Sequence, residues 1–385
     1  MAERKVKRQK GVRKVSVLTK LMLFINLIFA IILLLSQLST LISPGDIWFL
    51  PFLGLVYPFL LLVNLFFVLF WLVFLKRYFI ISLVIILAGY NQFSSLIQFG
   101  NKSEHIPSGA FKVMTYNVRL FDLYNWNREK EVSQARKEIF KMIQDEEVDV
   151  MCLQEYYSGR RSKVNYSETI LGFGNYRYFF DGYINNGKVE LPFGLITFSK
   201  YPIVAARKVG FSNSYDNFCL LTDIAFPHDT LRVINTHLES FRFGREDYLF
   251  MNELANNTGT NNDITQGSKA ILKKMKAAYQ KRASQVNELA GIIEASPYKV
   301  VVCADFNDTP VSYSYRRIAK NHYDAFRESG KGFGQSYTQF LPFLRIDYIF
   351  TDRSLRILDY RTIHNDFSDH YPIIATLDPA SNSQN

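Results

Sequence analysis

Hydrophobic positions along the chain follow one pattern up to about residue 100 and another beyond it. Residues 17–38 are almost wholly apolar, with Lys20 the only charge and close to one end. Residues 47–75 carry no charge and include Pro51 and Pro58, and residues 78–99 form another uncharged stretch. A helix needs about 20 apolar residues to cross the hydrocarbon core of a bilayer, so the pattern predicts three transmembrane helices within a membrane region at 17–99. Arg4, Lys5, Lys7, Arg8, Lys10, Arg13 and Lys14 make residues 1–16 a basic tail, and Lys76 with Arg77 mark a second basic turn. Basic flanks stay on the cytoplasmic side, so an odd number of crossings places everything from residue 100 onward outside the cytoplasm.

After a short linker at 100–110 the pattern changes to brief apolar runs separated by polar turns. KVMTYNV, VDVMCLQ, YRYFFD, FGLITFS, LRVINTH, YKVVVCA, RIDYIF and YPIIATL read as strands. Many are apolar throughout rather than alternating, as in strands buried on both faces. Residues 128–147 and 267–295 carry the spacing of amphipathic helices. Strands interleaved with helices predict a layered α/β domain at 111–378, followed by a tail at 379–385. Residues 241–266, centred on NELANNTGTNNDITQG, read as a polar insertion, either a flexible surface segment or a lid beside a site.

Charge and cysteine content narrow the picture. The net charge of +10 is concentrated at the N-terminus: residues 1–110 hold 11 Lys/Arg against 3 Asp/Glu, leaving 34 against 32 for 111–385. A nearly neutral domain lacks the broad positive surface of non-specific DNA binders. Cys152, Cys219 and Cys303 are odd in number, lie in apolar runs and match no zinc spacing, so buried free thiols are expected.

The chemistry collects at strand ends. In order come Asn117 in MTYNVR, Glu155 in MCLQE, His237 in INTHLES, Asp305 and Asn307 in VCADFND, Asp347 in RIDYIF, and Asp369 with His370 in FSDHYPI. Taken singly, each has an ordinary structural reading as a turn cap, a first exposed residue or a satisfied core imidazole. Taken together, they offer what phosphoester hydrolysis needs: charge neutralisation, a proton acceptor for water and help for the leaving oxygen. Glu155 is a hard-oxygen ligand for Mg²⁺ or Mn²⁺, and Asn117 either shares that ion or holds Glu155. Asp305 and Asn307, two apart in an extended strand end, share a face suited to a water-orienting carboxylate beside an amide donor. Asp347 can act as the partner that fixes the tautomer of His370, and His237 would face the phosphate as a donor. His105, His228, His322 and His364 show no such setting. Phe121, Tyr124 and Trp126, after the first strand, read equally as a contact loop or as core.

The ordered set TYNVR, LQE, NTHL, ADFND, RIDYIF and SDHYPI resembles the endonuclease/exonuclease/phosphatase superfamily over about residues 111–378. The resemblance implies a four-layer sandwich of two mixed β-sheets flanked by helices, with the site at one end. It implies cleavage of a phosphoester by in-line attack of water with Mg²⁺ (or Mn²⁺) as cofactor. Position by position, Glu155 resembles the metal-binding glutamate with Asn117 its neighbour, and His237 the phosphate-contacting histidine. Asp305 and Asn307 resemble the pair around water and phosphate, His370 the general acid/base oriented by Asp347, and Asp369 a residue close to the metal. GLITFSKYPI (194–203) resembles a central strand and its following loop. One departure stands out: abasic endonucleases carry an acid two positions after the first asparagine, and this chain has Arg119.

The expected function is therefore a membrane-anchored, metal-dependent phosphodiesterase, with the bilayer and a phosphoester as partners. Tethering and the neutral domain favour a phospholipid or sphingolipid headgroup; extracytoplasmic nucleic acid is the alternative substrate. A catalytically inactive module binding phosphorylated ligands is the rival of another class. A transporter is disfavoured, because the apolar stretches hold no ionisable residue near their centres.

Overall fold

The computed structural model describes residues 16–100, 103, 105–121, 129–157, 166–173, 175–184, 193–256, 261–339, 341, 343–365 and 367–379. Its N-terminal part is a cluster of helices: α1 (Val17–Leu38), α2 (Leu50–Leu55), α3 (Tyr57–Val73), α4 (Phe79–Ala88) and α5 (Tyr90–Leu96), closed by a short strand β1 (Gln98–Phe99).

Three separate crossings are not what the backbone forms. Among the described residues α1, with 22 residues, is the one unbroken helix long and apolar enough to span a bilayer. The stretch at 47–75 breaks at Val56 into α2 and α3, leaving α3 with 17 residues. Pro51 and Pro58 each occupy the first turn of their helix, where a missing N–H starts a helix but does not let a preceding one run through. The stretch at 78–99 breaks at Gly89 into α4 and α5, bent by 68°, and reaches spanning length only if the bent pair counts as one. A Cβ at Gly89 would run into the Gln37 side chain, so glycine is what lets α1 approach the bend.

The cluster buries a small polar network among apolar side chains such as Leu33, Leu60, Leu61 and Phe67. Asn26 donates to Ser82 Oγ (2.6 Å), Ser82 donates to Asn64 Oδ1 (2.9 Å) and Trp71 Nε1 donates to Asn26 Oδ1 (2.9 Å), tying α1, α3 and α4 together through fully buried groups. Leu62, Phe66 and Leu69 instead face outward. The helices are therefore apolar on their outer as well as their inner faces.

The remainder is an α/β fold with two mixed sheets flanked by helices. In chain order come β2 (Phe111–Asn117), α6 (Glu129–Glu146), β3 (Val150–Tyr157), α7 (Tyr166–Phe173), β4 (Tyr178–Tyr183), β5 (Phe193–Ser199), β6 (Ile203–Gly210), β7 (Phe218–Ala225) and β8 (Thr230–His237). Then follow α8 (Arg245–Asn256), α9 (Asn261–Glu294), β9 (Lys299–Asp305), α10 (Tyr313–Ala319), β10 (Tyr323–Asp324), α11 (Ala325–Ser329), β11 (Lys331–Gly332), β12 (Asp347–Thr351), β13 (Arg356–Thr362) and β14 (Ile373–Asp378). One sheet has the order β10-β12-β9-β8-β7-β6 and the other β13-β14-β2-β3-β5-β4. Each contains one parallel pair, β8 with β9 and β2 with β3, among antiparallel neighbours.

The continuously apolar strands have a direct explanation. Val150 and Cys152 point between the sheets to meet Val301, Cys303 and Ile349, while Met151 and Leu153 point outward to Ile139 and Ile143 of α6. On the far side Val300 and Val302 meet Val286 and Leu289 of α9. The central strands of both sheets are covered on both faces, so they do not alternate cleanly with polar residues. All three cysteines are buried free thiols. Phe121 is core, packed edge-on to Tyr156 and Tyr166; Tyr124 and Trp126 lie outside the described residues.

The 241–266 segment is not a plain loop: α8 and the first turns of α9 occupy most of it. Asp247 anchors the start of α8, accepting from the N–H of Gly244 (2.7 Å) and pairing with Lys274 of α9 (2.5 Å).

The N-terminal helices are bolted to the sandwich. Arg345, fully buried, donates to the carbonyl of Ser95 (2.8 Å), Arg327 donates to Ser94 Oγ (2.8 Å) and Ser39 Oγ donates to the carbonyl of Val311 (3.2 Å). Phe52 meets Tyr279 and Phe59 meets Phe343 edge to face. A Cβ at Gly54 would strike the Val311 carbonyl, so α2 lies directly on the chain before α10. β1 pairs with β11, which extends the contact through backbone hydrogen bonds.

Candidate active site

Strand register assembles one half of the site. His237 at the end of β8 lies opposite Asp305 at the end of β9, and Asp305 lies opposite Asp347 at the start of β12. Three chemically active groups thus stand side by side on adjacent strands. Asn117, ending β2, and Glu155, in β3, come from the facing sheet. Asn117 Nδ2 bridges the sheets, reaching Asp305 Oδ2 at 3.0 Å and Glu155 Oε1 at 3.4 Å.

Glu155 is aimed by a bulge. The pairing of β3 with β5 slips between Leu153 and Tyr156, and Glu155 adopts φ 47°. A left-handed conformation is uncommon for a residue with a Cβ, and bulges beside sites characteristically re-aim a side chain. Asn307 is likewise left-handed, at φ 52°; its N–H donates to Asp305 Oδ1 (2.8 Å). Its side-chain Nδ2 lies 2.8 Å from His237 Nε2 and 3.1 Å from the carbonyl oxygen of Leu238.

The last pair enters from the loop before β14. His370 Nδ1 is 2.9 Å from Asp347 Oδ2, which leaves Nε2 directed at Asp305 Oδ2, 3.8 Å away. Ser368 secures this loop by donating to the carbonyl of Asn117 (2.9 Å) and accepting from the N–H of His370 (3.2 Å). Ser336 Oγ accepts from the N–H of Asp347 (3.0 Å). Asp369 carries an ion pair with Arg119 (3.5 Å). All eight residues singled out by sequence therefore converge: Asn117, Glu155, His237, Asp305, Asn307, Asp347, Asp369 and His370.

Electrostatics separate their properties. Burial pushes the Glu155 carboxyl up, with Asp369 and Asp305 adding to the rise and His237 and His370 opposing it. Burial alone would strip the proton from His370, but Asp347, Asp305 and Asp369 outweigh it and lift the imidazole to about 10. The surrounding carboxylates thus favour the protonated imidazole.

Sequence reading missed several supporting residues. Tyr337 stacks edge-on against His370 at 5.0 Å and forms an isolated bridge with it, and Tyr248 of α8 bonds to Tyr337. Asn217 donates to the carbonyl of His237 (3.0 Å). Nothing in their local sequence marks them, because each reaches the site from an element remote in the chain.

Comparison with known proteins fits this geometry. The pattern described as "Endonuclease/Exonuclease/phosphatase family" matches residues 114–370. The chain belongs to that family. Its members are hydrolases acting on phosphoesters and nucleic acids, typically with a divalent metal. A second pattern, a domain of unknown function (DUF8431), matches residues 19–96. No curated protein matches. Among solved structures, the human Nocturnin catalytic domain with bound sulfate is similar with TM-score 0.50 and 14% identity, covering 74% of this chain and 98% of that one. A family member from Bacteroides thetaiotaomicron is similar with TM-score 0.50 and 16% identity, covering 71% of this chain and 98% of that one. At such identities they show the shared fold.

The donor set suits the divalent metal typical of the family. Asp305, Asp347 and His370 bring possible ligand atoms within 4.8 Å of one another. In that trio, however, His370 Nδ1 and Asp347 Oδ2 already satisfy each other. Glu155 is the better hard ligand: a partly buried carboxylate whose one hydrogen bond among the described residues is the long contact from Asn117.

Proposed function

We propose that this chain is a membrane-anchored, divalent-metal-dependent phosphoesterase that cleaves a phosphodiester with water, its catalytic domain held outside the cytoplasm. The observation that carries the reading is Asp305, buried and placed between His237 (3.4 Å) and His370 (3.8 Å), with Asp347 behind His370. Glu155, with Asn117 beside it and Asp369 nearby, would hold Mg²⁺ or Mn²⁺; a cation there supplies positive charge to the phosphoester oxygens. The chain's own groups do the rest. Asp305, held by Asn117 and the Asn307 N–H, orients a water molecule and takes its proton as the water oxygen bonds to phosphorus. His237 and Asn307 face the phosphate oxygens. His370, kept protonated by its carboxylates, gives a proton to the oxygen leaving phosphorus, and Asp347 holds the ring for that transfer.

Anchoring through α1, the apolar exterior of the helices around it and the basic tail support a bilayer-borne substrate over a nucleic acid. A phospho-ligand-binding module would leave the His370–Asp347 pair without a task. The test is hydrolysis of bis-p-nitrophenyl phosphate by the detergent-solubilised full chain with Mg²⁺, Mn²⁺ or EDTA, beside His370→Ala. Metal-dependent hydrolysis that is lost in the variant supports the proposal. Hydrolysis that persists with EDTA, or in the variant, removes it.

A further inference from the structure

A cavity of about 330 Å³ opens beside the catalytic cluster, and its walls come from both parts of the molecule. Leu55, Val56 and Phe59, at the break between α2 and α3, form one wall; Met251 of α8, Met275 of α9 and Leu344 form others. The volume falls at the low end of ligand pockets, about 300–1,000 Å³. The two methionines make adaptable walls for a chain that has no fixed shape.

The polar end is where the chemistry lies. Asn307 and Tyr337 line the cavity there. Asn307 is 2.8 Å from His237, and Tyr337 stacks on His370. A phosphate seated over Asn307 would therefore project one ester substituent into an apolar chamber. The opposite wall belongs to the helices whose outer faces carry Leu62, Phe66 and Leu69, so the chamber continues an apolar surface of the kind that meets hydrocarbon.

We infer that this cavity receives the hydrocarbon chain of an amphiphilic phosphodiester, so that the substrate is recognised by its apolar tail as well as by its phosphate. The inference rests on the phosphoesterase reading and deepens it. It assigns the α2–α3 break a direct part in substrate binding: Phe59 and its neighbours shape the enzyme's selectivity in addition to packing the helix cluster.

The test uses the full chain in detergent with paired chromogenic diesters: methyl, decyl and thymidine 5′-esters of p-nitrophenyl phosphate. Each releases the same p-nitrophenolate, so the rates differ only through the other substituent. Each methylene moved from water to an apolar wall contributes several-fold, so kcat/KM for the decyl ester is expected to exceed that for the methyl ester by at least about tenfold. Met275→Trp, which fills the chamber away from the catalytic groups, should bring the two rates together while leaving hydrolysis of the methyl ester intact. If that substitution disturbs the fold and lowers the methyl rate, Met251→Trp on another wall reads the same ratio. Equal rates in the unaltered protein, or a decyl preference that survives both substitutions, overturns the inference while the phosphoesterase reading stands. A preference for the thymidine ester that is lost on filling the chamber also overturns it, assigning the space to a base. Failure to hydrolyse any of the diesters overturns the phosphoesterase reading itself.

Discussion

Arg119 Nε lies 3.5 Å from Asp369 Oδ2, so a guanidinium occupies the place two residues beyond Asn117 where an acidic residue would add negative charge to the site. Arg119 is itself left-handed, at φ 46°, and its N–H donates to Asn117 Oδ1 (3.0 Å). A fixed positive charge beside Asp369 opposes a divalent cation. Arg119→Gln should therefore lower the Mg²⁺ concentration for half-maximal activity, by roughly fivefold if the partly exposed pair is worth about 1 kcal/mol. A metal titration of the hydrolysis rate checks this; an unchanged midpoint would mean Asp369 lies outside the metal's influence.

Glu155 links metal binding to pH. Burial favours its protonated form, and a bound cation requires the carboxylate, so binding must release a proton. Affinity for Mn²⁺ is expected to weaken as pH falls through the raised value and to recover above it. Calorimetry in buffers of different ionisation enthalpy should report that release. Glu155→Gln should abolish both the release and turnover while leaving the thermal transition in place.

The pH profile should report the His370–Asp347 pair. As a proton donor, His370 works only below its elevated value, so turnover declines on the alkaline side as the ring loses its proton. Asp347→Asn removes one of the charges that lift His370, and the alkaline limb should move to lower pH. His370→Ala should lose about 10²–10⁴ in kcat, the usual contribution of a positioned acid, with no recovery on adding metal. Recovery at high Mg²⁺ would reassign His370 as a ligand.

Arg345 tests the union of the two parts. It is about 1% exposed, pairs with Asp324 (2.9 Å) and holds the carbonyl of Ser95. Arg345→Met leaves Asp324 buried without its cation, a change that costs about 3–5 kcal/mol. Tm of the full chain should fall sharply, and adding Asp324→Asn to the variant should restore part of it. An unshifted Tm would show the pair to be dispensable.

Much of this architecture was legible from the chain alone, and the exceptions have physical causes. Strands such as VDVMCLQ announced themselves because burial on both faces leaves an unbroken apolar run. β6 did not, since its residues are mostly exposed along a sheet edge and read as polar. β7 is buried along nearly its whole length although it carries Asp223. Asp223 is tolerated because Arg232 stands directly opposite in β8 and clasps it at 2.7 and 2.8 Å, a compensation visible only once register is known. The site residues stood out because short polar groups at the ends of apolar strands break the pattern. The bulge that turns Glu155, and the tyrosines that reach in from α8 and from the chain before β12, obey no local pattern. At the N-terminus, apolar length was plain; the break at Val56 goes with the proline in the first turn of α3, and the bend at Gly89 with the packing of Gln37 against it.

The docking of the helices redraws the outline of the enzyme. The part of the chain that matches the family begins only at residue 114, beyond Leu55, Val56 and Phe59, yet these residues line space next to Asn307. A fragment cut at residue 104 would keep the residues of the candidate site and lose one wall of this cavity. Its activity would describe a less selective catalyst. On the inference drawn above, substitutions at the α2–α3 break change what is cleaved without touching how, so substrate choice belongs to the whole chain and not to the family-matching part alone.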